Sequence, residues 1–144
     1  MRKAPEEYYY EEGVKLKDAG FREEAAELFI QAIPMFERSI QQFGPSENKV
    51  FAYYYSAGCS YYLKDYQKAA SYYERVVSDY PDFTYSCSAY WLLSRCYGRM
   101  ANDGMIAEEE ANSLIVHCCR TIIDNSSDCP YAEKARLRLE GMGL

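Results

Sequence analysis

The chain has 144 residues and a formal net charge of −6, from 22 acidic and 16 basic residues. This length suits one compact domain or one short repeat array. The acidic balance argues against a nucleic-acid partner, since proteins that bind nucleic acids normally carry a basic stripe. No apolar run approaches the ~20 residues of a membrane-spanning helix, so we expect no direct membrane insertion.

The spacing of apolar residues predicts an all-α chain. Apolar side chains recur every three or four residues, which is typical of amphipathic helices, and no segment alternates as a strand does. In chain order, the predicted helices lie near residues 5–19, 22–43, 52–63, 66–80, 84–101, 106–124 and 130–141.

Three residues predict details of these helices. Pro34 lies inside the second helix and should kink or divide it, because proline removes an internal hydrogen bond. Asp65 can cap the start of the fourth helix, and Pro81 lies where that helix must stop. Because only two residues separate the third and fourth helices, we expect them to form an antiparallel hairpin.

The sequence also repeats itself. The segment Phe36–Cys59 aligns with Tyr73–Cys96 at a constant offset, and the junction recurs a third time in Asp124–Leu139. Self-similarity of this period is typical of helical repeat arrays. It predicts a single domain over residues 1–144, made of three helical hairpins (5–43, 47–81 and 84–125) and a C-terminal capping helix (130–141).

One repeat resembles a known family. The spacing of Tyr66, Ala69, Tyr73, Val76 and Pro81 is similar to the second helix and terminator of a tetratricopeptide repeat. The resemblance implies a right-handed superhelix of helical hairpins that acts as a protein-binding scaffold. The junctions "DYPDFTYSCSAYWLLSRCY" and "SSDCPYAEKARLRLE" look most like those of outer-membrane-assembly lipoproteins and Tol-Pal coordinator proteins.

The N-terminal segment and the cysteines bear on the compartment. "MRKAPEEYYYEEG" lacks the apolar region of a signal peptide, which predicts a cytoplasmic protein. The alternative is a periplasmic location, if the sequence is a trimmed mature form. The six cysteines include no C-x-x-C pair and match no small disulfide scaffold, so we predict reduced, mostly buried thiols.

We find no motif that predicts catalysis or a cofactor. The sequence contains no phosphate loop, no G-x-S-x-G and no H-E-x-x-H. His117, Cys118 and Cys119 are consecutive, and consecutive helical side chains point about 100° apart, which makes one shared metal ion difficult. The prediction is a non-enzymatic protein without cofactor or metal.

The family resemblance implies a binding surface on the first helix of each hairpin. Trp, Tyr and Arg dominate the hot spots of protein interfaces, and this face is rich in them. The predicted partner-binding residues are Tyr10, Val14, Phe51, Tyr54, Tyr55, Tyr61, Tyr62, Trp91, Arg95 and Arg99. The alternative is that several of these rings pack on the neighbouring hairpin.

These sequence features predict one of two alternative functions. The first is a module that holds a peptide segment or helix in an aromatic concave groove. The second is a structural subunit or self-associating scaffold of a larger, possibly envelope, assembly, in which the tyrosines are buried between protomers.

Overall fold

The computed structural model describes residues 5–42, 47–125 and 128–144, and all of the described secondary structure is helical. The all-α prediction is therefore confirmed for these residues. The predicted end of the first hairpin, at residue 43, lies outside them. The helices are α1 (Pro5–Asp18), α2 (Arg22–Gln42), α3 (Glu47–Tyr62), α4 (Tyr66–Asp79), α5 (Ser86–Asn102), α6 (Glu108–Asn125) and α7 (Ala132–Gly141).

The chain divides into two compact units, Met1–Tyr72 and Tyr73–Leu144, with the boundary inside α4. They are called the N-terminal unit and the C-terminal unit below. In the N-terminal unit, α2 packs against both α1 and α3; in the C-terminal unit, α6 packs against both α5 and α7. Packing between consecutive helices is consistent with a helical repeat.

The turns after α1, α3 and α5 share one hydrogen-bond pattern. At each turn an amide nitrogen donates to the carbonyl oxygen five residues earlier: Phe21 to Leu16, Asp65 to Ser60, and Met105 to Met100. The residue before each donor has a positive φ, 93° at Gly20, 66° at Lys64 and 73° at Gly104. This is the Schellman motif that ends many helices.

The predictions for Pro34 and Asp65 have clear outcomes. Pro34 lies within α2, which continues to Gln42, so the alternative of a divided helix is wrong. The carboxylate of Asp65 accepts a hydrogen bond of 3.2 Å from the backbone N–H of Lys68, which confirms the cap. α4 then ends at Asp79, shortly before Pro81.

The prediction of six reduced cysteines is wrong for two of them. Cys87 and Cys129 form a disulfide, with 6.1 Å between their Cα atoms. Cys87 lies in the first turn of α5 and Cys129 precedes α7, so only the fold brings them together. The other four thiols are free and buried, as predicted: Cys59, Cys96, Cys118 and Cys119.

Within the described residues, no helix is long and apolar enough to cross a membrane.

Candidate functional site

The predicted binding residues of the N-terminal unit form one aromatic cluster around Tyr10. The centroid of the Tyr10 ring lies 4.9 Å from that of Tyr55, 6.2 Å from Phe29 and 6.4 Å from Tyr62. Burial raises the pKa of the Tyr10 hydroxyl far above its usual value of 10, so the phenol is neutral. The ring of Tyr10 therefore packs mainly against other residues of the N-terminal unit.

Two glycines make this packing possible. A Cβ added at Gly58 of α3 would lie 2.8 Å from Cε2 of Tyr10, and one added at Gly13 of α1 would lie 2.6 Å from Cε1 of Phe29. Real Cβ atoms do not approach other carbons so closely. The absent side chains therefore let Tyr10 and Phe29 lie directly on helix backbones.

Four of the predicted residues, Tyr10, Val14, Tyr55 and Tyr62, pack against the core of Ala25, Phe29, Ala32, Phe36, Ala52 and Cys59. The other three make ring contacts at its margin. Phe51 stacks on Tyr55, Tyr54 meets Tyr55 edge to face, and Tyr61 lies edge to face with both Tyr62 and Tyr66. All seven are thus brought together, mostly as packing partners of one another.

The predicted residues of the C-terminal unit lie around an open space instead. Trp91, Arg95 and Arg99 line a cavity of about 400 Å³, and they are spaced four residues apart on one face of α5. Trp91 is half-buried, whereas both arginines are exposed.

The cavity also includes residues that the sequence reasoning missed: Ser94, Gly98, Asn102 and Arg138. Ser94, Gly98 and Asn102 could have been found, because their spacing continues the face of α5. Arg138 comes from α7, and no local pattern relates it to α5.

A ring contact and the disulfide link the segment around α7 to α5, and Arg138 lies close to Gly98. The ring of Trp91 stacks on that of Tyr131, with 5.9 Å between centroids and 14° between planes. Nη2 of Arg138 lies 3.7 Å from the position that a Cβ of Gly98 would occupy. The disulfide lies one helical turn before Trp91 on α5 and two residues before Tyr131, so it ties the same two segments.

A second cavity in the C-terminal unit has a volume of about 360 Å³. Several titratable side chains line it, so we tested whether they resemble a catalytic site. It is lined by Glu74, Tyr97, His117 and Cys118 among others. The Tyr97 hydroxyl donates a 2.7 Å hydrogen bond to the Glu74 carboxylate. Burial, followed by the charge and hydrogen bond of Glu74, raises the pKa of Tyr97.

The thiol in this cavity is not activated. Burial raises the pKa of Cys118 to about 12, so at neutral pH it is a thiol rather than the nucleophilic thiolate. Over the described ranges, no three side chains of His, Cys, Asp or Glu are grouped so that they could hold a metal ion.

Neither protein-family models nor curated proteins give a match to this chain.

Proposed function

We propose that the chain is a non-enzymatic binding module of the tetratricopeptide type, which holds a peptide segment or helix of a protein partner. The observation that carries the proposal is the placement of Trp91, Arg95 and Arg99 along one open cavity of the C-terminal unit. The repeated turn motif and the packing of consecutive helices support the repeat architecture. The tetratricopeptide identity and its superhelix are part of this proposal.

The two units differ in their suitability for binding. In the N-terminal unit the rings of the predicted surface are largely occupied by each other and by the core. In the C-terminal unit an indole and two guanidinium groups border a space large enough for side chains of a ligand. Pockets with a few convergent polar groups are the usual binding sites of proteins. We therefore assign partner recognition chiefly to α5.

The disulfide bears on the compartment. Disulfides form and persist in oxidising environments such as the bacterial periplasm, and they are rare in the reducing cytosol. The Cys87–Cys129 bond therefore supports the periplasmic alternative over the cytoplasmic one.

A display library of random peptides, selected on the immobilised chain, tests the function. The selected peptides are labelled with fluorescein and their affinities measured by fluorescence anisotropy. We expect Trp91→Ala to weaken binding at least tenfold, the order of one interface hot spot. Leu137→Ala is the matched control, because Leu137 is an exposed apolar residue of α7 outside the cavity.

Equal affinities of folded Trp91→Ala and of the wild type would assign binding to another surface. The self-association alternative is tested by sedimentation equilibrium of the isolated chain. It has some support from exposed apolar side chains in the N-terminal unit, including Tyr8, Phe21 and Ile30. A mass that rises with concentration, without any selected peptide, would favour that alternative.

A further inference from the structure

The second cavity of the C-terminal unit lies on a different face of α5 from Trp91. Its α5 residues are Tyr90, Leu93 and Tyr97, spaced three and four residues apart. Successive helical residues turn by about 100°, so this row lies on another side of the helix from Trp91 and Arg95. α4 and α6 supply the rest of the lining: Glu74, Val77, Ser78, Leu114, His117 and Cys118. The two cavities share no described residue.

Within the described lining, Glu74 carries the only charge at neutral pH. No lysine or arginine is among these residues, and His117 is neutral. Burial raises the pKa of both the Cys118 thiol and the Tyr97 hydroxyl, so neither ionises there. Over the described part of the chain, Glu74 forms no ion pair. A cavity with an unpaired carboxylate and no basic group attracts a cation.

Tyr97 fixes where this charge lies. Its hydroxyl donates a 2.7 Å hydrogen bond to Oε1 of Glu74, and only 6% of Tyr97 is exposed. The buried tyrosine therefore holds an otherwise exposed carboxylate at the wall of the cavity. A carboxylate anchored in this way loses less conformational freedom when a ligand binds than an unanchored surface carboxylate does. The charged part of the cavity is thus preorganised.

The remaining lining suits an apolar body joined to the cation. Leu93 is buried, and Val77, Leu114 and Tyr90 are half-buried. A cation within about 6 Å of a tyrosine ring is attracted to its π-face, and apolar groups gain free energy by leaving water. The volume of about 360 Å³ lies within the ~300–1,000 Å³ of small-molecule sites. The cavity therefore fits a molecule with one charged end and one apolar end.

We propose that this cavity binds a small organic cation, a primary ammonium group joined to an aromatic or branched apolar body. The ammonium group donates to the carboxylate of Glu74, and the apolar body packs on Leu93 and Leu114. The inference goes beyond the proposed function, because it concerns another cavity and another class of ligand.

The probes separate the two halves of this ligand. Phenethylamine carries both the ammonium group and the ring, phenethyl alcohol lacks the charge, and ethylamine lacks the ring. Amide chemical shifts in NMR spectra, recorded during each titration, give both the affinity and the location of the probe. We expect phenethylamine to bind about fivefold or more tightly than either partial probe, with the shifts concentrated in α4, α5 and α6 around the cavity.

Glu74→Gln tests the charge. Glutamine keeps an oxygen that accepts a hydrogen bond from Tyr97, so the wall is retained while the charge is lost. The affinity for phenethylamine should fall about fivefold, and that for phenethyl alcohol should not change. Asp79→Asn is the matched control: Asp79 is a carboxylate of the same helix, paired with Arg75 at 3.0 Å, and it lies outside the described lining. Equal losses in the two variants would overturn the inference.

Leu114→Ala tests the apolar half. Removing part of the apolar wall should weaken phenethylamine and phenethyl alcohol about threefold or more and leave ethylamine unchanged. Circular dichroism of all three variants establishes that they fold. A loss for ethylamine as large as that for phenethylamine would contradict the packing of the apolar body on Leu114.

Three results with the wild-type chain would also overturn the inference. The first is equal affinity for phenethylamine and phenethyl alcohol, since the carboxylate would then contribute nothing. The second is a set of shifts centred on Trp91, and the third is the absence of saturable binding of phenethylamine. None of these results bears on the peptide library selection, which tests the cavity beside Trp91 separately.

Discussion

The ring of Phe29 in α2 lies directly on the backbone of Gly13 in α1. A methyl group at Gly13 would come within 2.6 Å of Cε1 and 2.9 Å of Cζ of the ring. Phe29 is almost completely buried, with 1% of its surface exposed, so the ring has little room to retreat. The contact fixes how closely α1 and α2 approach each other.

Gly13→Ala should therefore destabilise the protein. Overpacking of a core costs about 1–3 kcal/mol, whereas alanine in place of glycine within a helix returns about 0.5–1 kcal/mol. We expect a net loss on the order of 1 kcal/mol in the free energy of unfolding, measured with urea.

Gly98→Ala is the matched control for this prediction. Gly98 is also a glycine inside a helix, but an added Cβ would meet its nearest neighbours at 3.7 and 3.9 Å, which is ordinary contact. The helix propensity then dominates, and stability should rise by about 0.5–1 kcal/mol. Equal changes in the two variants would show that the Phe29 contact does not limit the packing of α1.

The turn after α3 permits a second prediction. Lys64 adopts a φ of 66°, at the position that glycine occupies in the turns after α1 and α5. A left-handed backbone costs an ordinary residue about 1–2 kcal/mol, and glycine at position 64 would remove this cost. Part of the stabilisation is lost again, because glycine also gives the unfolded chain more conformational freedom. Lys64→Gly should raise the free energy of unfolding by about 0.5–1 kcal/mol.

Gly20→Ala tests the same argument in reverse. Nothing lies within 4 Å of a Cβ added at Gly20, so its φ of 93° is the sole source of strain. We expect this variant to lose about 1 kcal/mol. An unchanged stability in both variants would mean that the turns adjust their backbone at no cost.

The helices were predictable from the sequence because their signals are local. Apolar spacing predicted both bounds of α1 and α4, and the start of α2, to within one residue. α3 begins at Glu47 rather than near Ala52, and its unpredicted start includes Val50, which is buried in the core. Pattern reasoning therefore found where helices exist and placed the start of α3 too late.

The candidate site was predictable only along single helices. The spacing on α5 related Trp91 to Arg95 and Arg99, because these residues share one helix face. Arg138 and the Cys87–Cys129 bond depend on where α7 packs, which no local pattern encodes. The tyrosines of α3 were assigned to a surface, but the glycine contact that draws Tyr10 onto α3 could not be foreseen.

A third prediction concerns pH and an ion pair in the N-terminal unit. Nζ of Lys68 lies 2.9 Å from Oε1 of Glu37, and the Tyr72 hydroxyl donates to the same oxygen at 3.0 Å. The hydrogen bond from Lys68, followed by that from Tyr72, outweighs partial burial and lowers the pKa of Glu37 below its usual 4.5. The folded state therefore favours the ionised carboxylate.

A carboxyl group with a lowered folded pKa stabilises the protein above its unfolded pKa, and this contribution is lost as the pH falls through the folded pKa. Lys68→Met should cost about 0.2–1 kcal/mol near pH 7, the range of partly exposed pairs. The cost should shrink well below pH 4.5. When Glu37 is replaced by Gln, the loss in free energy of unfolding caused by Lys68→Met should no longer depend on pH in this range. If the pH dependence persisted, it would come from a titratable group other than Glu37.

The last prediction concerns the disulfide. Cys87 and Cys129 are 42 residues apart, so the bond closes a long loop and restricts the unfolded chain. Such bonds typically contribute about 2–4 kcal/mol. We expect reduction with dithiothreitol to lower the free energy of unfolding by about 2–4 kcal/mol. The double substitution Cys87→Ala/Cys129→Ala should have an effect of the same size.

Reduction should also change the fluorescence of Trp91, because the disulfide holds Tyr131 near the indole with which it stacks. Dithiothreitol should have no effect on the double variant, which serves as the control. Titration of thiols in denaturant should give four before reduction, from the free cysteines, and six afterwards. Six reactive thiols in protein purified without reductant would contradict the disulfide, and with it the argument for an oxidising compartment.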